Sequence, residues 1–305
     1  MDTKKDIYDI LQIDSQDAVM GEVRIILNMI SPGFNIAPVV KAFNSTVSLF
    51  EGTYPGYGPC NIYYHDLQHT MLTFLAMARL LHGASLDSVN FSEQDICLGL
   101  IAALFHDAGY IQEEHDKEGT GAKYTNIHVQ RSMDFLERHG PEHGLSDYDI
   151  SAGRAMILCT EIAVDINSIK FPSVESEFLG QLLSVADIMS QMADRVYLEK
   201  LLFLYHEFRE GKVEGFDSET DLLRKTIGFY NFIAQRLESL FDKIDRFLKL
   251  HFSSRWNIRK NLYIKAISKH RRYLKRITKI NDSDLLQHLK RARIADRVRE
   301  KYGTD

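Results

Sequence analysis

The sequence predicts an all-α fold, a bundle of many helices. Three observations point there. Apolar residues recur at three- and four-residue spacing in segment after segment, long runs alternating between apolar and polar are few, and the chain has only six prolines. A length of 305 residues, 45% of them hydrophobic and 26% charged, suits a folded chain with a substantial buried core. No internal repeat or low-complexity stretch interrupts it.

Taken in order, "AVMGEVRIILNMI" and "APVVKAFNSTVSLFEG" are amphipathic helices, the second ending at Gly52. "GTYPGYGPCN" is a loop rich in glycine and proline. "HDLQHTMLTFLAMARLLHG" is a helix that Asp66 helps to start and Gly83 closes. "SEQDICLGLIAALFHDAG" opens with a Ser-x-x-Asp cap and closes at Gly109. The polar loop "YIQEEHDKEGTGAKYTN" leads to helices in "IHVQRSMDFLERHG", "SDYDISAGRAMILCTEI" and the long "EFLGQLLSVADIMSQMADRVYLEKLLFLYHEFREG". "DSETDLLRKTIGFYNFIAQRLESLFDKIDRFLKLHF" is a second long amphipathic segment with an expected break near Gly228, and at least two helices follow it.

Charge is unevenly distributed. Residues 251–305 hold sixteen Lys/Arg against five Asp/Glu, so the overall −5 divides into +11 for the tail and −16 for the body. The favoured reading is a tail whose solvated faces dock on the acidic body or in a homo-oligomer interface. Basic residues interleaved with aromatics in "RKNLYIKAISKHRRYLKRITK" keep an anionic membrane or nucleic acid as the alternative, nucleic acid not being expected. Cys60, Cys97 and Cys159 show no C-x-x-C spacing and read as reduced core residues. "MDTKKDIYDILQIDSQDAV" lacks the apolar stretch of a signal peptide, and "ICLGLIAALF" is too short to span a bilayer, so a cytoplasmic location is expected.

Chemistry concentrates in three places. "NIYYHDLQHTMLTF" sets His65 and His69 four residues apart around Asp66, as an i,i+4 pair on one helix face. "GLIAALFHDAGY" delivers His106 and Asp107 to the end of an apolar helix. "LLSVADIMSQMADR" buries Asp187 among Leu183, Val185, Ala186, Ile188 and Met189, while Asp194 has Arg195 beside it and suits an ordinary salt bridge. Burying a carboxylate is costly unless it is paired or binds a cation. Ordinary pairing accounts for any one of these residues. Together they offer imidazole and carboxylate donors suited to zinc, iron or manganese, or carboxylate and water suited to magnesium. One ion at His69, His106, Asp107 and Asp187 is expected, with Asp107 able to bridge to a second, and helix geometry sets His65 one turn from His69.

The order H…HD…D across successive helices resembles the HD superfamily of metal-dependent phosphohydrolases. "YHDLQH" is similar to the Y-H-N-x-x-H motif of the cyclic nucleotide phosphodiesterase catalytic domain; "AALFHDAGY" and "SVADI" match that family's H-D and final-aspartate segments. The resemblance covers about residues 55 to 200. The resemblance sits within an expected single helical domain over 1–305, with the HD core at 16–215 and C-terminal helices at 216–305 that end in the basic extension 251–305. It implies His65 as general acid, Asp107 as catalytic and metal-binding, and His69, His106 and Asp187 as metal ligands. His128 resembles an additional histidine of many HD proteins, and His115 is a second candidate to contact another metal or the phosphate. Asp66 stands in place of asparagine, Tyr110 in place of a third histidine, and no Pro-Gly follows it. The family's glutamate beside the attacking water has no evident counterpart, Glu113 and Glu114 being the nearby acids.

The function implied is hydrolysis of a nucleotide phosphoester, cyclic or otherwise, by metal-activated water, with His65 protonating the leaving oxygen. No organic cofactor is expected. A nucleotidase or triphosphohydrolase, a di-iron oxygenase and a silent nucleotide sensor are the alternatives. The cyclic dinucleotide enzymes fit less well, because Ile111 follows "GY" where their motif has proline.

Overall fold

The computed structural model describes residues 7–11, 15–240, 244 and 246–303, apart from the side chains of 238–240 and 283. These residues are all-helical and contain no strand; Tyr57 and Glu113 form an isolated antiparallel bridge. The helices are α1 (Ile7–Leu11), α2 (Gln16–Ile30), α3 (Ala37–Glu51), α4 (Leu67–Leu86), α5 (Glu93–Phe105), α6 (His128–His139) and α7 (Asp147–Leu158). They continue with α8 (Val174–Ala193), α9 (Tyr197–Glu210), α10 (Glu219–Leu240), α11 (Arg246–Trp256), α12 (Leu262–Ile277), α13 (Asp282–Leu285) and α14 (Ile294–Tyr302). Among the described residues no helix is long and apolar enough to cross a membrane.

Helix α4 is the axis of the molecule. Every residue from His69 to Ala84 is buried, because α2, α5, α8 and α11 pack around it. A helix apolar on all sides belongs in such a position. The apolar interior forms two large clusters. One gathers α2 to α8 with α11 and the start of α12; the other gathers α9, α10 and α14 around Tyr64, Ile188 and Met192. The chemistry-bearing residues lie where the two meet.

Several expected boundaries hold for the expected reasons. Asp66 caps α4 by accepting a hydrogen bond from the His69 amide at 2.9 Å. Ser92 and Asp95 cap α5 reciprocally. Others differ. Gly83 does not close α4, which runs on to Leu86; a Cβ there would lie 2.0 Å from the Phe247 carbonyl oxygen, so glycine admits the close crossing of α11. Gly109 likewise lets α6 approach, since a Cβ would meet the His128 carbonyl oxygen at 2.0 Å.

The expected long helix at 177–211 is two helices. Asp194 leaves helical geometry at ψ 132° and accepts a hydrogen bond from the Val196 amide, dividing α8 from α9. The expected break at Gly228 is absent, and α10 passes straight through it. Residues 241–243 and 245 of that segment lie outside the described residues.

The C-terminal helices from α11 onward pack on the body through apolar faces. Phe247, Leu248 and Phe252 of α11 seat on α4, Tyr263 and Ala266 of α12 are buried, and α12 packs along α8. Arg255 adds an ion pair to Glu22 at 3.3 Å. All three cysteines are free, but only Cys159 is a core residue; Cys60 and Cys97 are half-buried at the edge of the core.

Candidate metal centre

Three helices deliver the cluster. α4 contributes His69 in its first turn. The apolar α5 ends by presenting His106 and Asp107, and α8 turns Asp187 inward. The Nε2 atom of His69 lies 3.3 Å from Asp107 Oδ2 and 3.1 Å from Asp187 Oδ1. His106 Nε2 lies 3.3 Å and 3.6 Å from the same two oxygens, and 3.3 Å from His69 Nε2. The tightest group is His69, His106 and Asp107, all buried, with ligand atoms within 4.8 Å of one another; Asp187 closes on it through the two imidazoles.

Hydrogen bonding fixes which nitrogens face inward. His106 Nδ1 donates to the Ala103 carbonyl at 2.9 Å, and His128 Nδ1 donates to the Thr125 carbonyl at 2.7 Å. A neutral imidazole held this way keeps its Nε2 lone pair for the centre, the arrangement that orients metal-binding histidines. His128 Nε2 stands 3.9 Å from Asp107 Oδ1. Oδ2 of Asp107 is buried with no hydrogen-bond partner, which is costly for a carboxylate. Neighbouring ligands about 2.1 Å from a shared ion lie roughly 3.0–3.4 Å apart, close to the separations observed. The donor set can therefore hold a metal ion.

The alternative to an ion is shared protons. Burial opposes charge on His69, but its contacts with Asp107 and Asp187 outweigh that and hold its pKa up at about 9. Burial likewise opposes charge on Asp107 and Asp187, and their histidine neighbours pull both carboxyls well below the usual range. No lysine or arginine among the described residues pairs with either aspartate, whereas Asp194 pairs with Lys200 at 3.7 Å.

His65 is placed differently from the sequence reading. It precedes α4 instead of lying on its face, because Asp66 is the cap. Its ring still comes within 5.9 Å of His69, centroid to centroid. Nδ1 of His65 donates to Glu207 Oε2 at 2.9 Å, while Oε1 of Glu207 accepts from the amides of Tyr63 and Tyr64. Sequence reasoning missed Glu207; the available signal was an acid inside the apolar run of α9, the same signal that marked Asp187. Tyr110 stacks between His65 at 4.5 Å and His128 at 4.3 Å. The charge that Asp66 adds is matched by Lys200 at 3.1 Å.

His115 is not part of the cluster. The loop carries it to the surface, 81% exposed, beside Glu113. Glu113 pairs with Arg138, so neither it nor His115 approaches the ligands. His65, Asp107, His128 and Asp187 instead open onto a cavity of about 700 Å³ that extends between α8, α9 and α10.

The fold and site define an all-helical protein with a buried histidine–aspartate cluster at the mouth of a large cavity. The chain belongs to the Npun_R2479-like family, whose model matches residues 56–268 and so includes every residue of this cluster. No curated protein matches the chain.

Proposed function

We propose that the protein is a metal-dependent phosphohydrolase of the HD type. The observation that supports this most is the meeting of His69, His106, Asp107 and Asp187, drawn from three helices, beside a cavity that His65 also lines. A divalent ion held by these four would act as a Lewis acid on a phosphoryl oxygen.

The chain's own groups divide the remaining work. His69 and His106 offer lone pairs, and Asp107 and Asp187 offer charge. Glu207 binds Nδ1 of His65, which leaves Nε2 facing the cavity to deliver a proton to the departing oxygen. Tyr110, packed on the rings of His65 and His128, keeps both in place and excludes water from that side. The nucleotide implied by the resemblance concerns the far end of the substrate, away from these groups.

The test is turnover of bis-para-nitrophenyl phosphate and a nucleotide panel by the full chain supplied with zinc, manganese, iron or magnesium. Turnover that disappears in Asp107→Ala is expected. The same rate in that variant contradicts the assignment.

A further inference from the structure

The end of the cavity away from the cluster is apolar. Ile188 of α8, Leu201, Leu204 and Phe208 of α9, Phe216 and Phe229 line it, and Phe208 stacks on Phe216 at 5.3 Å. A nucleobase is recognised by free donors and acceptors at its edge; along the cavity Gln191, one turn beyond Asp187, and Glu161 keep such groups, while the threonines, the Asn126 amide and Lys225 bond to their neighbours. Thr226 donates to the Leu222 carbonyl at 2.8 Å, Thr160 to Ile157 at 2.8 Å, and Thr125 to Ala122 at 2.6 Å. Asn126 gives its amide to the Gly211 carbonyl at 2.8 Å. Lys225, the one cation among the described lining residues, is held by Asp221 at 2.6 Å and by the Gly215 carbonyl. Among the described residues no arginine lines the cavity to grip a polyphosphate.

We infer that the substrate is an amphiphilic phosphoester, with its phosphate at the His–Asp end and an apolar body, an alkyl or prenyl-like chain, filling the space between α8, α9 and α10. The inference rests on the proposed metal-dependent reading, because an anionic head reaches two carboxylates only with a cation between them. A cavity of about 700 Å³ has room for such a chain. Each methylene buried there tightens binding by roughly fourfold until the space is filled.

The experiment is calorimetric titration of the manganese-loaded full chain with methyl phosphate, octyl phosphate and adenosine monophosphate. Alongside it, turnover of para-nitrophenyl methyl phosphate is compared with that of para-nitrophenyl octyl phosphate. Octyl phosphate is expected to bind at least about 100-fold more tightly than methyl phosphate and more tightly than the nucleotide. Leu204→Trp, which occupies the apolar end, should bring the octyl ester's KM up toward that of the methyl ester. Equal binding of the two alkyl phosphates, or tighter binding of the nucleotide, overturns the inference. Chain-length-dependent binding with no turnover of either ester under any metal leaves the amphiphile standing and overturns the hydrolase.

Discussion

Helix α4 carries a buried polar cluster at each end, and the two are built on opposite terms. At its start, His69 joins His106, Asp107 and Asp187, a group of acceptors whose lone pairs face one another. At its far end, Arg79 is fully buried yet surrounded by acceptors. Its terminal nitrogens donate to the Ile10 carbonyl at 2.6 Å and to the Tyr263 hydroxyl at 2.8 Å, and the rings of Phe252, Trp256 and Tyr263 lie within 6 Å. One turn on, His82 shares a hydrogen bond with His251 at 2.9 Å. The Arg79 end has its charged terminal nitrogens satisfied as folded, with Arg79 Nε and His251 Nε2 left without partners, and it ties α1, α4, α11 and α12 together. The His69 end is complete only with protons or a cation. Burial alone therefore does not mark a functional site; the balance of donors and acceptors does.

That contrast can be broken at either end. Arg79→Ala leaves carbonyls and a hydroxyl without their donor and should cost about 3–5 kcal/mol of stability in urea unfolding, with metal content unchanged. A loss below about 1 kcal/mol would mean that the Arg79 cluster is not the tie described. His65→Ala should lower turnover by about 10²- to 10³-fold while the ion is retained. Loss of the ion in that variant would make His65 a ligand. Glu207→Gln should cost less, about tenfold, because it misorients His65 without removing it. An effect as large as that of His65→Ala would give Glu207 a direct part in the chemistry.

The smallest effect comes from acid. Burial, with Arg79, His82 and Arg255 nearby, pushes the His251 pKa well below its usual value, and burial also lowers that of His82. A depressed histidine is neutral when folded and takes a proton first when unfolded, so its penalty appears as pH falls below about 6.5. Between pH 7.5 and 5.5 the wild type should therefore lose about 1 kcal/mol relative to His251→Leu. Parallel pH profiles would contradict a neutral His251.

Much of this was legible in the chain. Asp66, Ser92 and Asp95 announce helix starts through local hydrogen bonds, and apolar surroundings mark Asp107 and Asp187 as acids needing a partner. What was not legible depends on distant contacts. Gly83 and Gly109 look like stops but are crossings, because Phe247 and His128 approach them from far along the chain. The division at Asp194 interrupts an apolar pattern that runs on unchanged. Glu207 meets His65 across 142 positions of sequence, and the cavity is walled by α9 and α10, beyond most of the resemblance.

The most direct test of the claim that the four side chains hold an ion is elemental analysis of the full chain. Wild type and Asp107→Ala are dialysed in parallel against zinc, manganese, iron and magnesium, and their melting temperatures are read with and without each ion. One or two retained divalent ions that raise the wild-type Tm, and neither effect in Asp107→Ala, is the expected result. A wild type that keeps no ion and melts at the same temperature in all four would contradict it.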